Sequence, residues 1–184
     1  MHIPIVGQFF PAGPALRAHI RAVRLDAWAP DFIVLHNTGA PTLAQRPHGL
    51  TRRHIENLAD FYGRVQHWHA GPHWFVDQNG CWAFSPLSAP GVHSPSWNGR
   101  SWGVEMLGDY DREDFDAGPG ARVAANAVFL LAALSERAGL DSHTLRLHRE
   151  DPKTSHKDCP GRAVSAAAVI ARVHALRAEW GAAG

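Results

Sequence analysis

Residues 31–39 read Asp-Phe-Ile-Val-Leu-His-Asn-Thr-Gly, and this stretch decides the fold. Four consecutive apolar residues lead to His36, and the run is bounded by Pro30 and Gly39. A short apolar run between such residues predicts a buried β-strand, because proline and glycine interrupt regular structure. The strand would end at His36, which places this imidazole at an edge of the sheet.

Strand and helix patterns alternate on both sides of this stretch. Further strands are predicted at 72–76, 81–84, 101–107 and 144–147, with a hairpin turn at Asp77-Gln-Asn-Gly80. Helices are predicted at 15–25, 51–64, 122–137 and 163–180. Interspersed strands and helices predict an α/β fold, in which a central mixed β-sheet is flanked by helices.

Composition limits the classes of function. The chain has 184 residues, which suits a single domain. Its formal net charge is +1, so no strong attraction to nucleic acid or to anionic lipid is expected. No run of about 18 apolar residues is found, which argues against membrane insertion. The N-terminus lacks a signal-peptide pattern, so we expect a protein that stays cytoplasmic until it is released or exported.

Three residues stand out as candidate metal ligands. His36 and His148 each close a predicted strand, and Cys159 follows His148 by eleven positions. Imidazole nitrogen and thiolate are ligands that zinc prefers, and three protein ligands leave a fourth position open, as in catalytic sites. The residues alone leave alternatives, because a strand-end histidine is often structural. Cys159 could also be a packing residue or form a disulfide with Cys81.

Five segments strengthen the case for a metal site at these three residues. Each segment alone is unspecific, but their order along the chain is typical of one family. They are Ile33-Val-Leu-His-Asn-Thr38, Gly71-Pro-His-Trp-Phe-Val-Asp-Gln-Asn-Gly80, residues 90–93 with 98–105, Leu147-His-Arg-Glu-Asp-Pro152 and His156-Lys-Asp-Cys-Pro-Gly161. In this order the chain resembles the zinc-dependent N-acetylmuramoyl-L-alanine amidases, which include phage amidase-type lysozymes and peptidoglycan recognition proteins. The resemblance implies one amidase domain over residues 1–184. Its core would span 31–161, after an N-terminal extension at 1–30 and before a C-terminal helix within 162–184.

The resemblance also implies a site and a substrate. Zn²⁺ would be held by His36, His148 and Cys159, in a groove at the edge of the sheet. Glu105 and Lys157 would be the catalytic groups that face the metal and the scissile carbonyl. Four residues are expected in the substrate groove: His73, His93, Trp97 and Asn98. The implied substrate is peptidoglycan, cut between N-acetylmuramic acid and the first L-alanine of the stem peptide, by a chain expected to be monomeric.

Two departures from the family pattern keep other functions open. Many members carry a tyrosine where this chain has Pro72, and His156 is an additional histidine beside the third ligand block. One alternative is a peptidoglycan-binding module of the same fold that does not cut its ligand. Another is a structural zinc site closed by His93 or His156. Cys159 favours the enzyme, because recognition proteins without activity typically lose this cysteine.

Overall fold

The computed structural model describes residues 3–182. Its strands are β1 (Gln8–Phe10), β2 (Phe32–Asn37), β3 (Trp74–Asp77), β4 (Gly80–Ala83), β5 (Ser101–Met106) and β6 (Arg146–Leu147). Its helices are α1 (Pro14–Ala22), α2 (Arg52–Arg64), α3 (Gly118–Ala138) and α4 (Ala166–Ala182). Two short 3₁₀ helices cover Ser142–Thr144 and His148–Glu150. Each predicted element is found, with its ends displaced by a few residues.

All six strands form one mixed sheet in the order β1-β4-β3-β5-β2-β6. Strands β3, β5, β2 and β6 run parallel, whereas β4 is antiparallel to both β1 and β3. This confirms the predicted α/β fold with a central mixed sheet flanked by helices. Strand β1 was not predicted, because three residues are too few to show the alternation that marks a strand.

The parallel register brings the candidate residues to one edge of the sheet. In the ladder between β2 and β5, His36 lies opposite Glu105. In the ladder between β2 and β6, Leu35 lies opposite Leu147. His148, the next residue after β6, therefore lies level with His36. In open sheets of this kind, ligands bind at the carboxyl ends of the strands.

Helix α3 forms much of the core. It begins at Gly118 and ends at Ala138, just before Gly139, whose positive φ of 64° suits a residue without a side chain. By length and composition alone α3 could cross a membrane, although most of it is buried in the domain. The strand tryptophans Trp74 and Trp102 are fully buried, as expected for core residues.

Candidate metal centre and active site

The three predicted metal ligands lie together at the carboxyl edge of the sheet. His36 is near the end of β2, His148 directly follows β6, and Cys159 lies in the loop before α4. One ligand atom of each residue lies within 4.8 Å of the other two. The imidazole centroids of His36 and His148 are 4.3 Å apart. The fold therefore assembles two nitrogen donors and one sulfur donor at one point.

The two histidines are held in a way that suits metal binding. Nε2 of His36 lies 3.0 Å from Nδ1 of His93, and Nε2 of His148 lies 2.9 Å from Oγ1 of Thr154. Metal-binding histidines commonly use their second nitrogen for such an outer hydrogen bond, which leaves Nδ1 of each ring as the candidate donor. Burial lowers the pKa of His36 and brings that of His148 to about 4. Both rings are therefore in the neutral form that metals bind.

Cys159 supplies the third donor. Its Sγ accepts a hydrogen bond from the backbone N–H of Asn37 at 3.4 Å, and its carbonyl accepts one from the N–H of Arg149. Burial, with a smaller contribution from the charge of Glu105, raises the pKa of the Cys159 thiol to about 12. Metal binding would therefore release a proton from this thiol. Both cysteines are free, so the disulfide alternative with Cys81 is wrong. Two imidazole nitrogens and one thiolate sulfur form a donor set that fits zinc.

His93 and Asn98 support the centre from the loop before β5. The side chain of Asn98 accepts hydrogen bonds from the backbone N–H groups of His93 and Ser94, each at 2.7 Å. These contacts hold the backbone of the loop at His93, and the ring of His93 lies between His36 and the carbonyl of Ser101. His93 lines the pocket, and Asn98 lines an adjoining depression.

Asp151 ties this same loop to the segment that carries His148. Its carboxylate accepts hydrogen bonds from Oγ of Ser94 at 2.5 Å, from N–H of Ser96 at 2.9 Å and from N–H of Lys153 at 2.8 Å. Burial alone would raise the pKa of Asp151, but the hydrogen bonds outweigh it and lower the pKa to about 2. The folded protein therefore favours the ionised carboxylate.

We expect Asp151→Ala to lower the free energy of unfolding by about 1.5–3 kcal/mol at pH 7, since a fall in the pKa of this carboxyl group to about 2 in the folded protein corresponds to about that much. The pKa is lower in the folded than in the unfolded chain, so this stabilisation is full above about pH 5 and is lost as the pH falls toward 2. Urea unfolding of the metal-free proteins at pH 7 and pH 3 measures it. Asp26→Ala, which removes an exposed carboxylate, is the control; an equal loss in both variants would contradict the prediction.

Glu105 is the carboxylate nearest the ligands in the sheet. It faces His36 across the β2–β5 ladder and lines the pocket. Burial raises the pKa of Glu105 to about 8. A carboxyl group that titrates near neutral pH is suited to accept and return a proton.

A pocket of about 450 Å³ opens above these groups. Lys157 is exposed at its wall, and Pro72 also lines it. Tyr62 enters the same pocket from α2, with its ring 5.1 Å from that of Trp68. The sequence analysis missed Tyr62, because a helical aromatic normally indicates the core.

His156 lines the pocket, with its ring 5.6 Å from the ring of His148, but it does not belong to the three-donor group.

Neither His73 nor Trp97 lines the pocket, although both were predicted in the substrate groove. His73 is fully buried; its Nδ1 accepts from the N–H of Gly103, and its Nε2 lies 3.0 Å from the carbonyl of Ala89. Neighbours in an extended chain face opposite sides, so Pro72 at the pocket turns His73 inward. Trp97 packs edge-on against Phe32 at 5.5 Å, away from the pocket lining.

Comparison with known proteins gives a consistent result. Residues 26–162 match the family described as N-acetylmuramoyl-L-alanine amidase. No curated protein sequence matches the chain significantly.

Several solved structures share the fold. The amidase LysC from Clostridium intestinale URNW is 19% identical, with 91% of this chain and 94% of that chain covered and a TM-score of 0.63. A mutant endolysin from Bacillus subtilis is 22% identical, with coverage of 78% and 85% and a TM-score of 0.57. A mutant of Drosophila PGRP-LB in complex with tracheal cytotoxin is 19% identical, with coverage of 78% and 86% and a TM-score of 0.58. At these identities the likeness shows the fold alone.

Proposed function

The chain belongs to the N-acetylmuramoyl-L-alanine amidase family, and from this premise we propose that it is a zinc-dependent enzyme that hydrolyses the amide bond between N-acetylmuramic acid and L-alanine in peptidoglycan. One observation carries the proposal: the donors of His36, His148 and Cys159 converge in a pocket that also holds Glu105. Three donors leave room for a further ligand, as a catalytic site requires.

The protein's own groups supply the proton transfers that this reaction needs. A bound zinc ion would lower the pKa of a coordinated water from 15.7 to about 7 and polarise the carbonyl oxygen. Glu105 would accept a proton from the attacking water and return it to the nitrogen of L-alanine as the carbon–nitrogen bond breaks. Lys157, at the pocket wall, would place positive charge beside the developing oxyanion. The products are a lactyl carboxylate and a stem peptide with a free N-terminal alanine.

Recognition of peptidoglycan without cleavage is the second candidate. The fold is shared with peptidoglycan recognition proteins, one of them solved with tracheal cytotoxin bound. Pro72 also removes a hydroxyl group that many family members carry in the groove. Cys159 supports the enzyme, because it completes a donor set that simple recognition does not need. We further propose that the chain acts at the cell wall as a monomer, either as a lysin or in wall remodelling.

The zinc-loaded protein should release stem peptides with N-terminal alanine from purified peptidoglycan. Mass spectrometry of the soluble products and labelling of new amino groups measure the release. A chelator should abolish it and added zinc should restore it, while the number of glycan reducing ends stays constant. Co-sedimentation with the wall, measured in parallel, separates the candidates: binding without release at any zinc concentration would identify a recognition module and contradict the amidase.

A further inference from the structure

A second group of metal-type side chains lies outside the pocket. Asp141 and His143 flank the start of the 3₁₀ helix Ser142–Thr144, and His174 projects from α4. One ligand atom of each residue lies within 4.8 Å of the other two. The imidazole centroids of His143 and His174 are 5.0 Å apart. Among residues 3–182, only this trio and the trio in the pocket meet that distance criterion.

The group is partly preorganised. The carboxylate of Asp141 accepts hydrogen bonds from the backbone N–H of His143 and lies 2.9 Å from Nδ1 of the same residue. These two atoms lie close enough together to bind one ion, which would take the place of the proton that they share. Hydrogen bonds with His143, and weaker charge interactions with both histidines, lower the pKa of Asp141. The carboxylate is therefore ionised at neutral pH.

The surroundings leave room for an ion and its waters. A surface depression of about 380 Å³ is lined by both histidines together with Ala167, Ile170 and Ala171. Ala167 and Ala171 precede His174 by seven and three positions, so they share its face of α4. Their small side chains keep the space in front of the imidazoles open. All three candidate ligands are exposed, so their side chains can close on an ion without moving the core.

We propose that Asp141, His143 and His174 bind a second divalent ion of the Zn²⁺, Ni²⁺ or Cu²⁺ type. Two imidazoles and one carboxylate suit these ions, whereas Ca²⁺ and Mg²⁺ take oxygen ligands almost exclusively. The site lacks a thiolate and is exposed, so it binds zinc more weakly than the pocket does. A bound ion would join α4 to the segment that leads into β6.

The test is the stoichiometry of zinc binding to the full chain, measured by titration calorimetry after removal of metal. Wild-type protein should bind two equivalents, one tight and one weaker. His174→Gln should retain the tight equivalent and weaken the second at least tenfold. This variant leaves the hydrogen bonds between Asp141 and His143 in place. His48→Gln, at an exposed histidine outside both groups, should bind as wild type does.

Copper supplies a readout that does not depend on activity. With zinc in the pocket, one added equivalent of Cu²⁺ should give an electron paramagnetic resonance spectrum with nitrogen coupling, which His174→Gln changes and His48→Gln does not. A single zinc equivalent in the wild type, or a second equivalent unaffected by His174→Gln, would overturn the proposal. Either result is independent of peptide release from peptidoglycan, so the two proposals fail separately.

Discussion

Cys159→Ala should abolish zinc binding in the pocket and amide hydrolysis together. The thiolate is the only anionic donor of the trio, and without it two neutral imidazoles remain. We expect zinc affinity in the pocket to fall more than about 100-fold, since removal of even an outer partner of a ligand costs about 10–100-fold. Zinc content after dialysis against a weak chelator, measured by plasma mass spectrometry, and stem-peptide release are the two readouts.

Cys81→Ala is the matched control for this substitution. Cys81 is a free cysteine that is buried in β4, where it lies opposite Phe10 in the ladder with β1. Its loss leaves a small cavity that costs about 1 kcal/mol of stability, with no effect on zinc. Full zinc occupancy of the pocket in Cys159→Ala would show that the ligand set is wrong. Loss of zinc in Cys81→Ala as well would indicate damage to the fold instead.

The sequence indicated which residues would come together at the centre, through two strand-end histidines and, for Cys159, through the family resemblance of its segment. Apolar runs that stop at His36 and before His148 mark buried strands, and the carboxyl ends of parallel strands meet at one edge. Glu105 was expected only from the family resemblance, and the structure places it on β5, opposite His36 in the ladder with β2. Local patterning is informative for His36 and His148, since each lies at the end of a predicted strand.

Residues placed by tertiary packing could not be found in this way. The orientation of His73 depends on which side of the chain faces Gly103 and Ala89, and these partners are distant in sequence. Tyr62 reaches the pocket because α2 packs beside it, which the helical pattern does not reveal. The contact between Asp151 and Ser94 joins positions 57 residues apart. Such contacts depend on the assembled fold, not on local preference.

The Glu105→Gln variant should still bind zinc, but its turnover should fall about 10²–10⁴-fold, because general acid–base catalysis typically contributes this much to the rate. Glutamine preserves the size and hydrogen-bonding capacity of the side chain but cannot accept and return a proton. The rate of stem-peptide release, measured with zinc content and wall binding on the same samples, tests this. Glu56→Gln, at an exposed carboxylate on α2, should retain wild-type turnover.

Stability distinguishes a catalytic loss caused by Glu105→Gln from a folding defect. The pKa of Glu105 is about 8 in the folded protein and near 4.5 when unfolded, because burial disfavours the charged form. In the wild type, Glu105 therefore does not reduce the free energy of unfolding below about pH 4.5, but reduces it progressively as the pH rises toward 8. Glutamine does not titrate, so the variant lacks this pH dependence. The metal-free variant should thus unfold at an equal or higher urea concentration than wild type at pH 8. Wild-type turnover in a stable, zinc-loaded Glu105→Gln would exclude this carboxylate from the proton transfers.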